Sequence, residues 1–429
     1  MTRRDWFRWH GWIGLTAGLL LFVVCWSGTV AVFSREIDWL LNPALRAAPT
    51  QGDLPWGAAH AAIGAARPDL RVVQLNAPYK DGYAMEAWLE NEDGVMFRAL
   101  VDPATAEVKA VVSYFNVQRF FRSLHMSLFI SHWRVAGVPF GYLVVGTLAV
   151  ALLGSLVSSL VFYRRWWRGF LKLERGRGAK VFWSDLHKLS GLWSLWFILL
   201  VGATGVWYLA EWYTPRSPEP PALPEAASAA GTPPGIDAPP GIDAMVAAAR
   251  AAYPGLEVRA LATYGLPAEP LEVHGQDGSL LVRDRAAKVW VDPRDGKVLG
   301  VQRVAGLTPY QRWIDTADPV HFGDFGGLAS KAVWFVFGLA LSGLCLTGAY
   351  LQARRQDRGA RPAAARRAVL GAYAVTLAVL AYAAWSGIVE IRGYGPGDWP
   401  AVPVAAAAFI GAWIAVTVLV LGYWMHRLR

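Results

Sequence analysis

Six stretches of the chain are continuously apolar over about the length that crosses a lipid bilayer. A helix needs roughly 20 apolar residues to span a hydrocarbon core of about 30 Å. Tryptophans cluster near the ends of these stretches, where amphipathic rings suit the headgroup region. The pattern predicts six transmembrane helices, at Trp12–Phe33, Val138–Tyr163, Leu189–Ala210, Leu328–Leu351, Ala368–Ile388 and Val402–Trp424.

Two long polar segments, one after the first span and one after the third, alternate apolar and polar residues. Residues 84–90 are one such run, and this period is typical of a half-buried strand. An alanine-rich helical run precedes each set of strands, and Asp-Pro turns at Asp102 and Asp292 end each set. Each segment is therefore predicted to be a small α+β domain with one helix and an antiparallel strand set.

The two halves of the chain resemble each other. His10 aligns with His187 at an offset of 187 − 10 = 177, and at the same offset Gly28 aligns with Gly205. Each half has the order span, small domain, span. Because each half crosses the membrane twice, the second half starts on the same side as the first and has the same orientation. The sequence therefore predicts a parallel internal repeat in an α-helical polytopic membrane protein.

The distribution of charge predicts the orientation in the membrane. The chain has 41 Lys and Arg against 32 Asp and Glu, a net charge of +9, with 55% hydrophobic residues. The basic clusters precede span 1, separate spans 2 and 3 and spans 4 and 5, and follow span 6, so threading places them all on one side. Both termini are therefore predicted to be cytoplasmic. Because topology accounts for the positive charge, a nucleic-acid partner is not expected.

The predicted organisation has ten segments. The first half comprises transmembrane helix 1, the first domain, an interfacial segment with helix 2, and a basic loop. The second half comprises helix 3, a Pro-rich linker, the second domain, helix 4 and another basic loop, before helices 5 and 6. The boundaries are 1–35, 36–120, 121–165, 166–185, 186–212, 213–243, 244–320, 321–353, 354–367 and 368–429.

Four of the eight histidines recur at matching places. His10 and His187 lie at the cytoplasmic mouths of their spans, whereas His125 and His321 precede spans 2 and 4 at the other face. A single interfacial histidine is commonly a polar anchor, but recurrence in both halves favours ligands. Neutral imidazole suits iron, and a haem between two imidazoles passes electrons and has no open position for oxygen. The pattern predicts two haems, bound by His10 with His187 and by His125 with His321.

His132 is the alternative to His125 as a ligand. The two lie seven residues apart and could share one helix face. The distance from His125 to the end of span 2 is 163 − 125 = 38 residues, against 350 − 321 = 29 from His321 to Tyr350. This difference predicts an insertion or an extra interfacial helix, and the choice of ligand stays open.

Other polar residues are interpreted as structural. His60 and His274 have no partner at metal-ligand spacing and are predicted to lie on the surface. Glu390 and Arg392 are interpreted as a charge pair at a helix end. The glycine-rich segments at 176–178 and 393–397 have neither strand–helix context nor a phosphate-loop pattern. Electrons are therefore expected from a separate cytoplasmic reductase or from the quinol pool.

Several motifs point to one family. They are Arg8-Trp9-His10 and Ser27-Gly28-Thr29 in span 1, Leu41-Asn42-Pro43 after it, and the ending at Val291–Val298 in the second domain. In order and type these elements resemble the PepSY-associated transmembrane family of bacterial inner-membrane proteins, over roughly residues 1–355. The resemblance implies two PepSY-like domains in the periplasm.

Some members of this family are di-haem reductases of ferric siderophores, and others have no assigned activity. The resemblance thus implies two b-type haems, an inner-membrane location and a ferric siderophore or another periplasmic electron acceptor. One alternative is a haem-free protein whose domains bind a peptide or a protease. Another is a transporter accessory component, which is less favoured because no span has a charged midplane broken by Gly or Pro.

Overall fold

The computed structural model describes residues 1–50, 52–171, 173, 178–214, 221–223, 240–356, 363–394 and 402–428. Most of the predicted Pro-rich linker lies outside these ranges. So do parts of the two basic loops and of both glycine-rich segments.

Helices dominate the structure. Those of the first half are α1 (Arg3–Ala31), α2 (Ser34–Leu41), α3 (Trp56–Ala66), α4 (Val117–Ser127) and α5 (Phe140–Phe162). Those of the second half are α6 (Ala179–Trp193), α7 (Leu195–Glu211), α8 (Ile242–Ala252), α9 (Pro309–Phe322) and α10 (Gly327–Gln356). Two further helices complete the described chain, α11 (Ala363–Gly393) and α12 (Val404–Leu428).

In the described residues, five helices are long and apolar enough to cross a membrane: α1, α5, α10, α11 and α12. The count is six if the bent pair of α6 and α7 is one span. The two helices of that pair meet at 66°. The third predicted span, Leu189–Ala210, therefore falls on a bent pair, with α6 ending at Trp193 and α7 covering Leu195–Glu211. The break falls at Ser194, which is fully buried, and α6 before it carries Asp185 and Lys188, charges that do not suit a hydrocarbon core.

Helix α1 is the centre of the bundle. Thr2 and Asp5 form a capping box that starts it, and its middle section is buried against α10, α5 and α4. Small residues let α1 and α10 approach closely, because a Cβ on Gly14 would lie 3.7 Å from the backbone of Gly348. A Cβ on Gly18 would lie 3.1 Å from the backbone oxygen of Cys345.

Eight of the ten described strands form one sheet, and the other two form a separate hairpin. The first four are β1 (Arg71–Asn76), β2 (Met85–Glu90), β3 (Met96–Val101) and β4 (Val108–Ser113). A short hairpin follows, β5 (Arg134–Val135) and β6 (Val138–Pro139). The last four are β7 (Glu257–Ala262), β8 (Leu271–Gln276), β9 (Ala287–Val291) and β10 (Val298–Gln302).

The two strand sets, predicted as separate domains, join edge to edge. The eight strands have the order β10-β9-β8-β7-β1-β2-β3-β4, and β1 pairs with β7 in antiparallel register, with Leu75 opposite Leu261. Pairing removes two exposed edges. Helices α3 and α8 cover one face, where Trp56, Ile63 and Met245 enter a continuous apolar core.

The opposite face of the sheet is polar. Arg98 pairs with Glu86 at 3.0 Å, and Nε2 of His274 lies 2.8 Å from the carboxylate of Glu272. The side chain of His274 is 13% exposed, so the surface position predicted for it was wrong. His60, on α3, is also only partly exposed. Alternation along each strand puts Arg98, Glu86 and His274 opposite the helix-covered face.

Helix α4 is held at both ends. The carboxylate of Asp38 accepts hydrogen bonds from the backbone N–H groups of Val117 and Gln118, at 3.0 and 2.9 Å. The helix ends at Leu128, whose φ of 51° closes the last turn in the left-handed region. The β5–β6 hairpin then fills the distance to α5. The extra length after His125 is therefore an insertion, not an extra helix.

Candidate functional site

His10 and His187 face each other on the side of the bundle away from the sheet, and we call them the distal pair. Their ring centroids are 6.3 Å apart. Nδ1 of His10 lies 3.0 Å from the carbonyl oxygen of Ser155, and Nδ1 of His187 lies 2.9 Å from Oγ1 of Thr347. One ring comes from α1 and the other from α6, so the fold brings together residues far apart in the chain.

His125 and His321 form the equivalent sheet-side pair, with ring centroids 6.0 Å apart. Nδ1 of His125 lies 2.8 Å from the carbonyl oxygen of Val24, and Nδ1 of His321 lies 2.7 Å from Oγ1 of Thr204. Helices α4 and α9 supply these rings. Both rings lie at the junction between the bundle and the sheet.

Hydrogen bonds define the tautomer of these imidazoles. The hydroxyl hydrogens of Thr347 and Thr204 are donated to their own helices, to the carbonyl oxygens of Gly343 and Leu200. Each hydroxyl therefore accepts from a histidine. His10 and His125 also contact carbonyl oxygens, which only accept. This hydrogen-bond pattern assigns the proton of each neutral imidazole to Nδ1 and the lone pair to Nε2.

The separation of the rings suits two ligands on opposite sides of one metal. An imidazole nitrogen binds a first-row metal at about 2 Å, and the ring centre lies about 1 Å further back. Two such ligands in line place their centroids about 6 Å apart, as in both pairs. Among the described residues no group of three or more His, Cys, Asp or Glu could hold an ion.

Each pair borders an apolar cavity. The distal cavity is about 210 Å³, and Gly14, Gly18, Gly191 and Gly348 line it beside the distal pair. The sheet-side cavity is about 240 Å³ and borders the other pair. A Cβ on Gly348 would lie 3.2 Å from Cε1 of His187, whereas Cβ atoms on Gly14 and Gly18 would meet the backbone of α10. The sequence showed the small residues, but their alignment with cavities required the structure.

Gly28 allows the sheet-side pair to form. A Cβ at this position would lie 2.6 Å from Cε1 of His125. The glycine belongs to the Ser27-Gly28-Thr29 motif and aligns with Gly205, which lines the same cavity. The motif therefore has a steric role, because it leaves space for the ring.

The polar edge of the sheet-side cavity was not predicted from the sequence. Nζ of Lys331 lies 2.9 Å from both oxygens of Glu36, and Lys80 reaches the same carboxylate at 3.0 Å. Arg35 and Arg122 line the cavity as well. An apolar slot with basic residues at one edge fits a haem, whose ring is apolar and whose two carboxylates lie at one edge. The signal in the sequence was Lys331, a charge next to the apolar stretch of α10.

A further cavity of about 290 Å³, which we call the interface cavity, lies between the sheet and the bundle and reaches the sheet-side pair. Three acidic side chains line it, and burial raises the pKa of one of them, Asp315. Tyr208 donates a hydrogen bond to Asp318 at 2.8 Å. The cavity is also lined by four basic side chains, Arg122, Arg283, Arg285 and Lys288.

His132 lies elsewhere. Its Nε2 is 3.0 Å from the hydroxyl of Tyr382, and Nδ1 is 3.3 Å from Oγ of Ser386, both on α11. The structure therefore brings His125 and not His132 to His321. Metal ligation by any of these residues stays a prediction.

The two pairs are separated along α1. Val24, which contacts His125, lies 24 − 10 = 14 residues beyond His10. At 1.5 Å per residue this is about 21 Å, most of a hydrocarbon core of about 30 Å. The two sites thus lie near opposite faces of the span.

Long apolar helices and an extramembrane sheet define this chain as a multi-pass membrane protein. Residues 7–355 match the PepSY-associated TM region, and the chain belongs to that family. It is similar to the Uncharacterized protein PA4219 of Pseudomonas aeruginosa, with 26% identity over 255 residues. That match covers 54% of this chain and 62% of the relative, so it spans less than two thirds of the relative's length.

Proposed function

We propose that this protein is a di-haem b electron-transfer protein of the bacterial inner membrane that reduces a ferric siderophore in the periplasm. The observation that carries the proposal is the recurrence of two facing imidazole pairs, with centroids 6.3 and 6.0 Å apart. In each pair both Nδ1 atoms are fixed by hydrogen bonds. A histidine that serves only as an interfacial anchor does not need a second ring at this distance.

A haem bound by two imidazoles supplies reversible one-electron transfer between ferric and ferrous iron, with no open position for oxygen. The protein's own residues determine where this happens. His10 and His187 hold one site, and His125 and His321 hold the other. Ser155, Thr347, Val24 and Thr204 orient the rings and keep Nε2 unprotonated. Sites about 21 Å apart along α1 give an electron a route across most of the bilayer.

The direction of transfer follows from the proposed topology. The basic clusters support a cytoplasmic position for the distal pair, next to a reductase or the quinol pool, and a periplasmic position for the sheet. The interface cavity then lies between the periplasm and the sheet-side pair. Reduction to ferrous iron weakens binding by the hard oxygen ligands of a siderophore, which favours release of the metal.

The visible spectrum and haem content of detergent-purified protein test the cofactor. We expect about two b-type haems per chain. His10→Ala or His187→Ala should remove the distal haem, and His321→Ala the sheet-side haem. His132→Ala is the matched control and should keep both. Wild-type spectrum and haem content in all of the first three variants would exclude the ligand assignment.

Proteoliposomes test the reaction. Haem reduced from the cytoplasmic side should be reoxidised by a ferric siderophore added on the periplasmic side, with ferrous iron appearing in step. His321→Ala should block this transfer while the distal haem stays reducible. If reoxidation does not depend on the siderophore, or continues at the wild-type rate in that variant, a binding function for the domains becomes the better explanation.

A further inference from the structure

Tyr208 of α7 connects the sheet-side pair with the charges of the interface cavity. Its ring stands edge-on to the ring of His321, with centroids 5.2 Å apart and an interplanar angle of 78°. Its hydroxyl donates a hydrogen bond to Asp318 at 2.8 Å. Thr204, the acceptor for Nδ1 of His321, lies one turn before Tyr208 on the same helix. One face of α7 therefore holds the imidazole at two points.

Asp318 lies on the same helix as this histidine. It precedes His321 by three residues on α9, so the two side chains share a helix face. The carboxylate oxygen that Tyr208 does not use is 2.6 Å from Nε of Arg283, in the loop between β8 and β9. The side chains of Asp318 and Arg283 are only 24% and 11% exposed. An ion pair that is largely shielded from water thus lies one turn from a candidate ligand.

The internal repeat shows that the shared architecture does not require this network. His125 aligns with His321 at an offset of 321 − 125 = 196, and at that offset Arg122 takes the place of Asp318. At the offset of the first and third spans, the place of Tyr208 falls to residue 208 − 177 = 31, an alanine. The network belongs to one half only, which points to a role at His321 itself.

We propose that Tyr208 and Asp318 are positioning residues for His321, and that together with Arg283 they set the reduction potential of the sheet-side haem. This inference rests on the proposed function, because it concerns the haem that His321 would bind. A negative charge near the iron favours the ferric state and lowers the potential, whereas a positive charge raises it. Poor access of water makes both effects stronger. The tyrosine hydroxyl reduces the effect of the carboxylate by donating a hydrogen bond to it.

Redox titration of the purified full chain, measured by visible absorbance, tests the sign of each contribution. Asp318→Asn keeps an acceptor for Tyr208 but removes the charge, and it should raise the sheet-side potential. Arg283→Gln should lower the potential, and Arg283→Lys should restore it. Tyr208→Phe keeps the ring beside His321 and should lower the potential by a smaller amount. For each of the two charge removals we expect about a tenfold change in the ratio of ferrous to ferric haem at a fixed poise, or about 59 mV for one electron.

Two controls accompany these variants. Asp53→Asn removes the carboxylate of another Asp–Arg pair, with Arg250 on the helix-covered side of the sheet, and should leave both potentials unchanged. The distal haem is an internal control in every sample, because the distal pair lies near the other face of the span. The sheet-side transition is identified as the one that His321→Ala removes.

Opposite shifts in Asp318→Asn and Arg283→Gln, confined to the sheet-side haem, would support the inference. A purely structural role predicts loss of the haem in both variants or unchanged potentials, and either result, or two shifts of the same sign, would overturn it. If Asp318→Asn does not fold, a lower potential in Arg283→Gln that Arg283→Lys restores still supports the inference, and an unchanged potential in Arg283→Gln rejects it.

The outcome for the proposed function can be told apart. A wild-type protein without haem would reject the proposed function and this inference with it. A wild-type protein with two haems, whose sheet-side potential does not respond to these substitutions, would reject the inference alone.

Discussion

Glu390, near the end of α11, forms an ion pair with Arg119 of α4 at 3.2 Å and accepts a hydrogen bond from Ser123 at 2.7 Å. The sequence suggested a helix-end charge pair with Arg392, which stays a prediction, and in the structure the carboxylate of Glu390 links α11 to α4. Nearby, Trp413 of α12 contacts Phe121 of α4 with ring centroids 5.1 Å apart. The last two helices therefore support α4, the helix that carries His125.

Glu390→Gln should weaken the sheet-side site, although Glu390 does not contact His125 or His321 in the described structure. Its carboxylate is 12% exposed, so removing the charge leaves Arg119 poorly compensated, at about 1–3 kcal/mol. We expect a lower Tm and faster loss of the sheet-side haem on warming. The visible absorbance of the haem measures this loss. Glu92→Gln, at an exposed loop position, is the control. Equal behaviour of the two variants would exclude the supporting role of α11.

Gly28→Ala should disturb the sheet-side pair alone. The added methyl group would lie 2.6 Å from the ring of His125, so the ring or α4 must move, at about 1–3 kcal/mol. The expected result is loss or a spectral change of one haem of two. Gly371→Ala, on α11, meets nothing within 4 Å and should resemble wild type. A normal spectrum for Gly28→Ala would contradict the observed ring position.

Thr204→Val and Thr347→Val remove the acceptors for Nδ1 of His321 and His187 while keeping side-chain shape. Losing such an outer hydrogen bond typically lowers metal affinity by about 10–100-fold. Each variant should change the reduction potential or the retention of one haem, measured by redox titration. Thr376→Val is the control, because Thr376 bonds only within its own helix in the described structure. Unaltered potentials and retention in both variants would count against the tautomer assignment.

Asp38 should make stability depend on pH in an unusual direction. Burial raises the pKa of Asp38 to about 6, from an ordinary value of 3.8. The pKa of Asp38 is higher in the folded than in the unfolded protein. Its contribution to the free energy of unfolding is therefore fully present below about pH 4 and is lost as pH rises through about 6. The size is on the order of 1–3 kcal/mol.

Asp38→Asn keeps an acceptor at the start of α4 but does not titrate. The Tm of this variant relative to wild type should therefore increase between pH 4 and pH 7, because only wild type loses stability at this position. Thermal unfolding of both proteins across that range is the measurement. A constant or falling difference would show that Asp38 does not titrate as expected.

The topology predicts that the loops bearing Gly82 and Gly278 lie in the same compartment, the periplasm. Both glycines have positive φ in turns, so insertions there should leave the sheet intact. Reporter fusions at the two positions should both be active as periplasmic markers. A cytoplasmic signal from either would require a different threading of the helices.

The sequence by itself determined the membrane class, the approximate spans and three of the four histidines that face each other in two pairs, and it left His125 or His132 as the fourth. Hydrocarbon length and hydrogen-bond satisfaction in lipid constrain a helix so strongly that local composition suffices. The pairing of His10 with His187 could be predicted because the two align in the internal repeat, and equivalent positions in equivalent spans lie at similar depths in the membrane. The sequence also indicated the strands of both domains, through alternation.

Tertiary structure alone decided which residues meet across the chain. Nothing local distinguishes His125 from His132, but α4 turns the first toward His321 and the hairpin after it carries the second to α11. The joining of the two domains through β1 and β7, and the convergence of Arg122 and Arg285 in one cavity, likewise depend on long-range packing. Such contacts arise from the shapes and charges of surfaces distant in sequence, and periodicity contains no information about them.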